Sequence, residues 1–163
     1  MRRNKPRVLY EAMSDLICRQ PTLPAMSFQA VAAVARLAEA CKPLPQIPLV
    51  TQHLFHAGMY SRTIILPKNT ALTGVLIKRS TVVTIAGDVS VFAGGEAFRV
   101  TGYKVIPASA NRKQAYLSFA ETAITMCFAT SAKTVEEAEM EFTDEFSELL
   151  SHSFDNEVIF TGE

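Results

Sequence analysis

The sequence predicts a mostly-β fold, an antiparallel sandwich or small barrel with helical segments before it and an amphipathic helix after it. Three observations predict this. From residue 51 to 130 the chain runs through short stretches rich in Val, Ile, Thr and Phe. Turn signals at Pro67 to Asn69, Ala86-Gly87-Asp88, Gly94-Gly95 and Thr101-Gly102 separate those stretches too closely for βαβ units. On both sides the apolar period becomes helical, and capping residues stand at Ser27 before the strand zone and at Thr134 after it.

Residues 1–50 form the first zone. A short helix is expected over "VLYEAMSDLICRQ". Ser27 is placed to cap a second, "FQAVAAVARLAEACK", whose apolar stripe would be Phe28, Val31, Val34, Ala35 and Ala38, with Leu37 beside it. Pro43 stops that helix, and "KPLPQIP" reads as an extended connector. Residues 51–130 are the strand zone: "TIIL", "ALTGVLI", "TVVTIA", "DVSVF", "EAFRV", "YKVI", "QAYLSF" and "AITMCFA". Residues 131–163 begin with a capping box, Thr134 and Glu137, opening one helix over "VEEAEMEFTDEFSELLSH". Its apolar face is Val135, Ala138, Phe142, Phe146, Leu149 and Leu150; its acidic face reads as solvated surface. His152 would then sit at the helix C-terminus and favour its dipole. Val158, Ile159 and Phe160 in the tail need cover, either as an edge strand or against a neighbouring subunit.

Composition narrows function mostly by exclusion. The 163 residues are 48% hydrophobic and 20% charged, ordinary for a globular domain. Sixteen basic and sixteen acidic residues cancel, so no overall field draws the chain to nucleic acid or an anionic membrane. The basic start "MRRNKPR" reads as a solvated terminus. No apolar run approaches the roughly 20 residues that span a bilayer, and the N-terminus lacks the apolar core of a secretion signal. Cys18, Cys41 and Cys127 are far apart in apolar or helical contexts, which suits reduced thiols in a cytoplasm. "GxSxG" is absent, no Gly-rich phosphate loop precedes a helix, and Ser61 and Ser118 have no His–Asp partner nearby in sequence.

The segments "ILPKNTALTG" and "VVTIAGDVSVFAGGEAFRVTGYKVIPAS" resemble the cupin superfamily over roughly Tyr60 to Phe128. That resemblance implies a cupin-like antiparallel jelly-roll barrel, with Pro67, Gly87, Gly102 and Pro107 at its turns. The order also resembles small cupin-like proteins of tailed bacteriophages, with "HLFHAGMYSRT" as lead-in and "SAKTVEEAE" opening the acidic helix. It implies an accessory or virion-associated protein of the host cytoplasm or virion, and a homo-oligomer. Where cupins carry His-x-His this chain has "GVLIKRS"; where the later His falls, "PASANRK" places Arg112, and Ser109 replaces the usual glycine. Asp88, Glu96 and Glu121 lie in or beside turns, so no family metal site and no cofactor are expected.

The candidate ligand-binding residues are therefore Lys78, Arg112, Arg62 and Tyr60, facing an anionic small molecule. Adjacent strand residues face opposite ways, so at most one each of Lys78-Arg79 and Arg112-Lys113 enters the barrel. His53 and His56 are the only clustered histidines and form a weak metal pair if a helical turn brings them together. Three functions follow. The leading one is a non-catalytic interaction module binding copies of itself or another protein. The second is an anion-binding module, and the third a metal-dependent enzyme using His53 and His56.

Overall fold

The computed structural model describes residues 21–161. The expected first helix, the basic start and Cys18 lie outside them. The fold is mostly β, as the sequence predicts: a single curled sheet with one α-helix before its first strand and a second between its last two strands in chain order. No helix among the described residues is long and apolar enough to cross a membrane.

Helix α1 covers Phe28–Cys41, and Ser27 caps it by accepting the Ala30 N–H at 3.2 Å. Its buried face differs in phase from the expected stripe. Ala30 and Val34 face the sheet while Phe28 is 84% exposed. Met26, Ala30, Val34 and Ala115 form the small core beneath the helix. Here the surface offered by the sheet selects the helix face, overriding side-chain size.

The strands are β1 (Thr51–His56), β2 (Met59–Leu66), β3 (Ala71–Thr73), β4 (Thr81–Ala93), β5 (Glu96–Ala108), β6 (Ala115–Ser118), β7 (Thr122–Ala129) and β8 (Asn156–Phe160). Their order is β3-β6-β4-β7-β2-β1-β8, with β5 paired to β4. Pairing is antiparallel except between β1 and β8, which run parallel. The tail thus becomes an edge strand, and Phe160 stacks on Phe55 with centroids 4.7 Å apart. Strand β1 was not expected. It joins β2 through Ala57 and Gly58 at φ 48° and 70°, a two-residue hairpin.

Two expected turns are instead bends within long strands. "TVVTIA" and "DVSVF" form the single strand β4, and "EAFRV" and "YKVI" form β5. Gly87 and Gly102 are register partners, with φ 149° and 73°. On one side of Gly87, β4 pairs with β7 over Val82 to Ala86; on the other it pairs with β6 over Val89 to Phe92. A Cβ at residue 87 would stand 2.4 Å from Thr122 Oγ1, so the bend needs glycine there. This bend curls the sheet. The true hairpin between β4 and β5 is Gly94-Gly95, both at positive φ.

Helix α2 is Val135–Phe142, shorter than the sequence predicts. Thr134 Oγ1 accepts the Glu137 N–H, and Glu137 accepts from the Lys133 N–H, one residue before the cap position of a capping box. At Thr143 the backbone turns extended, and its hydroxyl takes the Glu145 N–H. The chain then crosses the sheet as a strap of two 3₁₀ turns, Phe146–Glu148 and Leu150–His152. Glu145 anchors the strap by accepting from Leu76 N–H at 2.9 Å and Lys113 Nζ at 2.6 Å. His152 therefore ends no α-helix. Phe142 and Leu149 join Phe55, Tyr60 and Phe128 in an aromatic core, where burying each side chain contributes about 1.5–3 kcal/mol.

Candidate functional site

A cavity of about 140 Å³ lies between the curled sheet and the strap. Strand alternation builds its wall. Arg62 and Ile64 come from β2, Ile124 and Met126 from β7, and Arg112, Gln114 and Tyr116 from the approach to β6 and β6 itself. Phe142, Leu149 and Leu150 close it from the α2 and strap side. A second cavity of about 340 Å³ adjoins it across Leu72 to Val75, with Lys113 on its wall.

Arg112 is 1% exposed. Its Nη1 donates to Arg79 O at 3.1 Å and to Ser109 O, and its Nη2 donates to Thr81 Oγ1 at 2.6 Å. These bonds tie the β5–β6 connection to the segment entering β4. They leave the Nε–H buried without an acceptor, and no carboxylate among the described residues pairs with this guanidinium. Burial lowers its pKa to about 10, so it stays charged at neutral pH. Gln114 shares the wall, and its Nε2 is likewise buried and unpartnered. Its Oε1 accepts from Tyr116 O–H at 3.5 Å. Burial pushes the Tyr116 phenol up to about 12, so it remains a neutral donor.

The other cations nearby are neutralised. Arg62 Nη1 donates to Glu139 Oε1 at 2.7 Å, with the two side chains 10% and 1% exposed. Glu139 also accepts from Ser151 Oγ and meets His152 Nε2 at 2.9 Å, so one α2 carboxylate ties β2 to the strap. Lys113 lies behind the wall on Glu145. Burial alone would raise the Glu145 pKa, but the bonds from Lys113 and Leu76 N–H outweigh it and hold the carboxyl below its ordinary value.

Of the four expected ligand residues, Arg112 and Arg62 line the cavity, and Lys78 and Tyr60 do not. Lys78 faces outward and pairs with Asp144. Tyr60 is fully buried in the aromatic core, where its hydroxyl lies 2.8 Å from His53 Nδ1. The rule of one residue per adjacent pair holds for Arg112-Lys113. Gln114, Tyr116 and Glu139 were not among the candidates. The first two follow from Arg112 by strand alternation, whereas Glu139 lies on a helix 77 residues from Arg62 in sequence.

His53 and His56 lie on strand β1, not on a helical turn, and their odd spacing turns them to opposite faces. His53 is buried, with Nδ1 on Tyr60 and Nε2 3.1 Å from Asn156 Oδ1. His56 is exposed and bonds Thr161 Oγ1 at 2.6 Å. Among the described residues no three His, Cys, Asp or Glu side chains converge as metal ligands. Desolvation lowers the His53 pKa, outweighing the Asn156 bond that raises it.

No family model and no curated protein matches the chain. Its fold is similar to those of solved cupin proteins. A cupin superfamily protein of Desulfitobacterium hafniense aligns over 70% of this chain and all of its own, at 9% identity and a TM-score of 0.45. An RmlC-like cupin of Methanocaldococcus jannaschii aligns over 53% of this chain and 92% of its own, at 11% identity and 0.43. The cupin-2 domain of an XRE family transcriptional regulator from Enterobacter cloacae aligns over 50% and 96%, at 12% identity and 0.42.

Proposed function

We propose that the protein is a non-catalytic binding module that holds a small anion in the cavity beside Arg112. One observation carries this reading. A guanidinium, 1% exposed and without a carboxylate partner among the described residues, stands on a cavity wall. An isolated buried charge is costly, and proteins retain one where an opposite charge arrives. Melting curves in chloride, inorganic phosphate and short carboxylates test it, with Arg112→Met as control. At least one anion raises the wild-type midpoint in a saturable way, and the variant shows no such rise. Equal responses in both proteins refute the reading.

A second reading, an interaction module that pairs with itself or another protein, is supported by β5. Among the described residues this strand of 13 residues pairs with β4 and, at its Ala108 end, with Leu23, and Tyr103 and Val105 on it are 68% and 47% exposed. Light scattering on the wild type and on Tyr103→Glu tests it. A defined oligomer that the substitution dissociates supports it, and a monomer at high concentration counts against self-pairing. A partner of phage origin would belong to this second reading.

A further inference from the structure

We infer that the uncharged outer face of the β2-β7-β4-β5 half of the sheet docks a second copy of this chain, face to face about a two-fold axis. This rests on the interaction-module reading and deepens it by naming the partner and the surface.

Register assembles the face. Its outward positions are alternate residues from Ser61 to Ile65 on β2, Ala123 to Cys127 on β7, Val82 to Ala86 on β4 and Tyr103 to Pro107 on β5. The residues between them, Ile64, Ile85, Ile106 and Ile124 included, face the core. Three outward positions on each of four strands carry no Lys, Arg, Asp or Glu. A surface of ordinary make-up places charges at about a quarter to a third of its residues. All of these positions are exposed or half-buried, and Ile65, Val82, Tyr103 and Val105 are the exposed apolar ones. Thr63 and Thr125 lie side by side with hydroxyls 2.8 Å apart, so each satisfies the other and covering them strands little polar surface.

The chain covers the same outer side elsewhere. Beyond the Gly87 bend, Phe92 and Ala115 continue it as register partners, and both pack beneath α1. The exposure of Ile65, Val82 and Tyr103 shows that nothing among the described residues does this for the β2-β7-β4-β5 half.

Charge and size select the occupant. An ordinary protein surface would bring charges that lose water against a face offering no counter-charge. A second copy brings the same uncharged face, and a two-fold axis sets equivalent patches together without a like-charge contact. Such sheet faces pack about 10 Å apart with their strands within about 30° of each other. Gln52 and Leu54 on β1 extend the face without adding charge. Five strands at about 4.8 Å spacing and 3.3 Å rise give it roughly 400 Å², about half of what each partner in a standard interface buries. Charged side chains begin at its border, with Glu121 beyond Ala123 and the Asp88–Arg99 pair beyond Ala86. A charge-poor centre inside a polar rim is the anatomy of a protein interface.

Sedimentation of the full chain over a concentration series tests the assignment, with Ile65→Lys and Val82→Lys on the face and Arg36→Glu on the exposed side of α1 as control. The wild type and Arg36→Glu form a dimer. Each Lys variant keeps the wild-type circular dichroism and weakens the dimer by about tenfold or more, because the two-fold brings two ammonium groups into the contact. Ile65 stands three strands from β5, so its substitution reads the face and not the β5 edge. A dimer that both Lys variants leave intact while Tyr103→Glu dissociates it puts the contact on that edge; the inference then falls and the interaction reading stands. Equal weakening by Arg36→Glu also overturns the face. A wild-type monomer at every concentration removes the second copy, whatever else covers the face, and leaves the interaction reading only a different protein.

Discussion

Glu139→Ala removes the carboxylate that ties together β2, α2 and the strap. In the wild type it accepts from Arg62 at 2.7 Å and from Ser151, and meets His152 at 2.9 Å, while itself 1% exposed. Without it Arg62, 10% exposed, becomes a second unmatched cation beneath the strap. Breaking a buried pair from one side costs about 3–5 kcal/mol, because the surviving charge stays desolvated. Ser151 and His152 add little to this, since the 39%-exposed His152 and the half-buried Ser151 can turn to water. Urea unfolding should show a midpoint about 2 M lower at the usual slope for a chain of this size. The double variant Glu139→Leu with Arg62→Met should regain most of the loss, because replacing both members with apolar groups removes the desolvated charge too. A single-variant loss under about 1 kcal/mol, or a double variant as unstable as the single, would refute the reasoning.

At the sheet bend, Gly87→Ala should cost about 2–5 kcal/mol, combining a φ of 149° with a Cβ 2.4 Å from Thr122 Oγ1. Gly102→Ala should cost only about 1–2 kcal/mol, since its φ of 73° is unfavourable but its surroundings are open. Chemical denaturation separates the two, and equal costs would discredit the contact. On acidification two steps are expected. His53 is held neutral in the fold, so the unfolded chain binds the proton first; stability is full above 6.5 and declines as pH falls below it. Glu145 is held ionised, so its contribution is present above 4.5 and lost as pH drops through its lowered folded value. A His53→Gln variant that kept the first slope would remove His53 as its source.

Much of the strand zone is legible in the residues because β-branched and aromatic runs between turn residues have few alternatives. "AITMCFA" is the body of β7, and Gly94-Gly95 is the hairpin it looked to be. Strand β1 escaped notice because its inward positions, Thr51, His53 and Phe55, include two polar residues, and the partners that bury His53 lie on β2 and, far from it in sequence, on β8. The same limit hid the end of α2. Apolar spacing continues through Leu150, but Glu145 is claimed by Lys113 and by Leu76 N–H, so the chain leaves the helix to reach them.

The sequence by itself determined the strand-rich class and the capped starts of the helices at Ser27 and Thr134. Those depend on local conformational preference and on alternation, both carried by neighbouring residues. Tertiary structure alone decided that Gly87 bends a strand and that, among the described residues, Arg62 has a carboxylate partner while Arg112 has none. Whether a charge is answered depends on groups brought close in space from distant parts of the chain, and spacing along the sequence does not encode that distance.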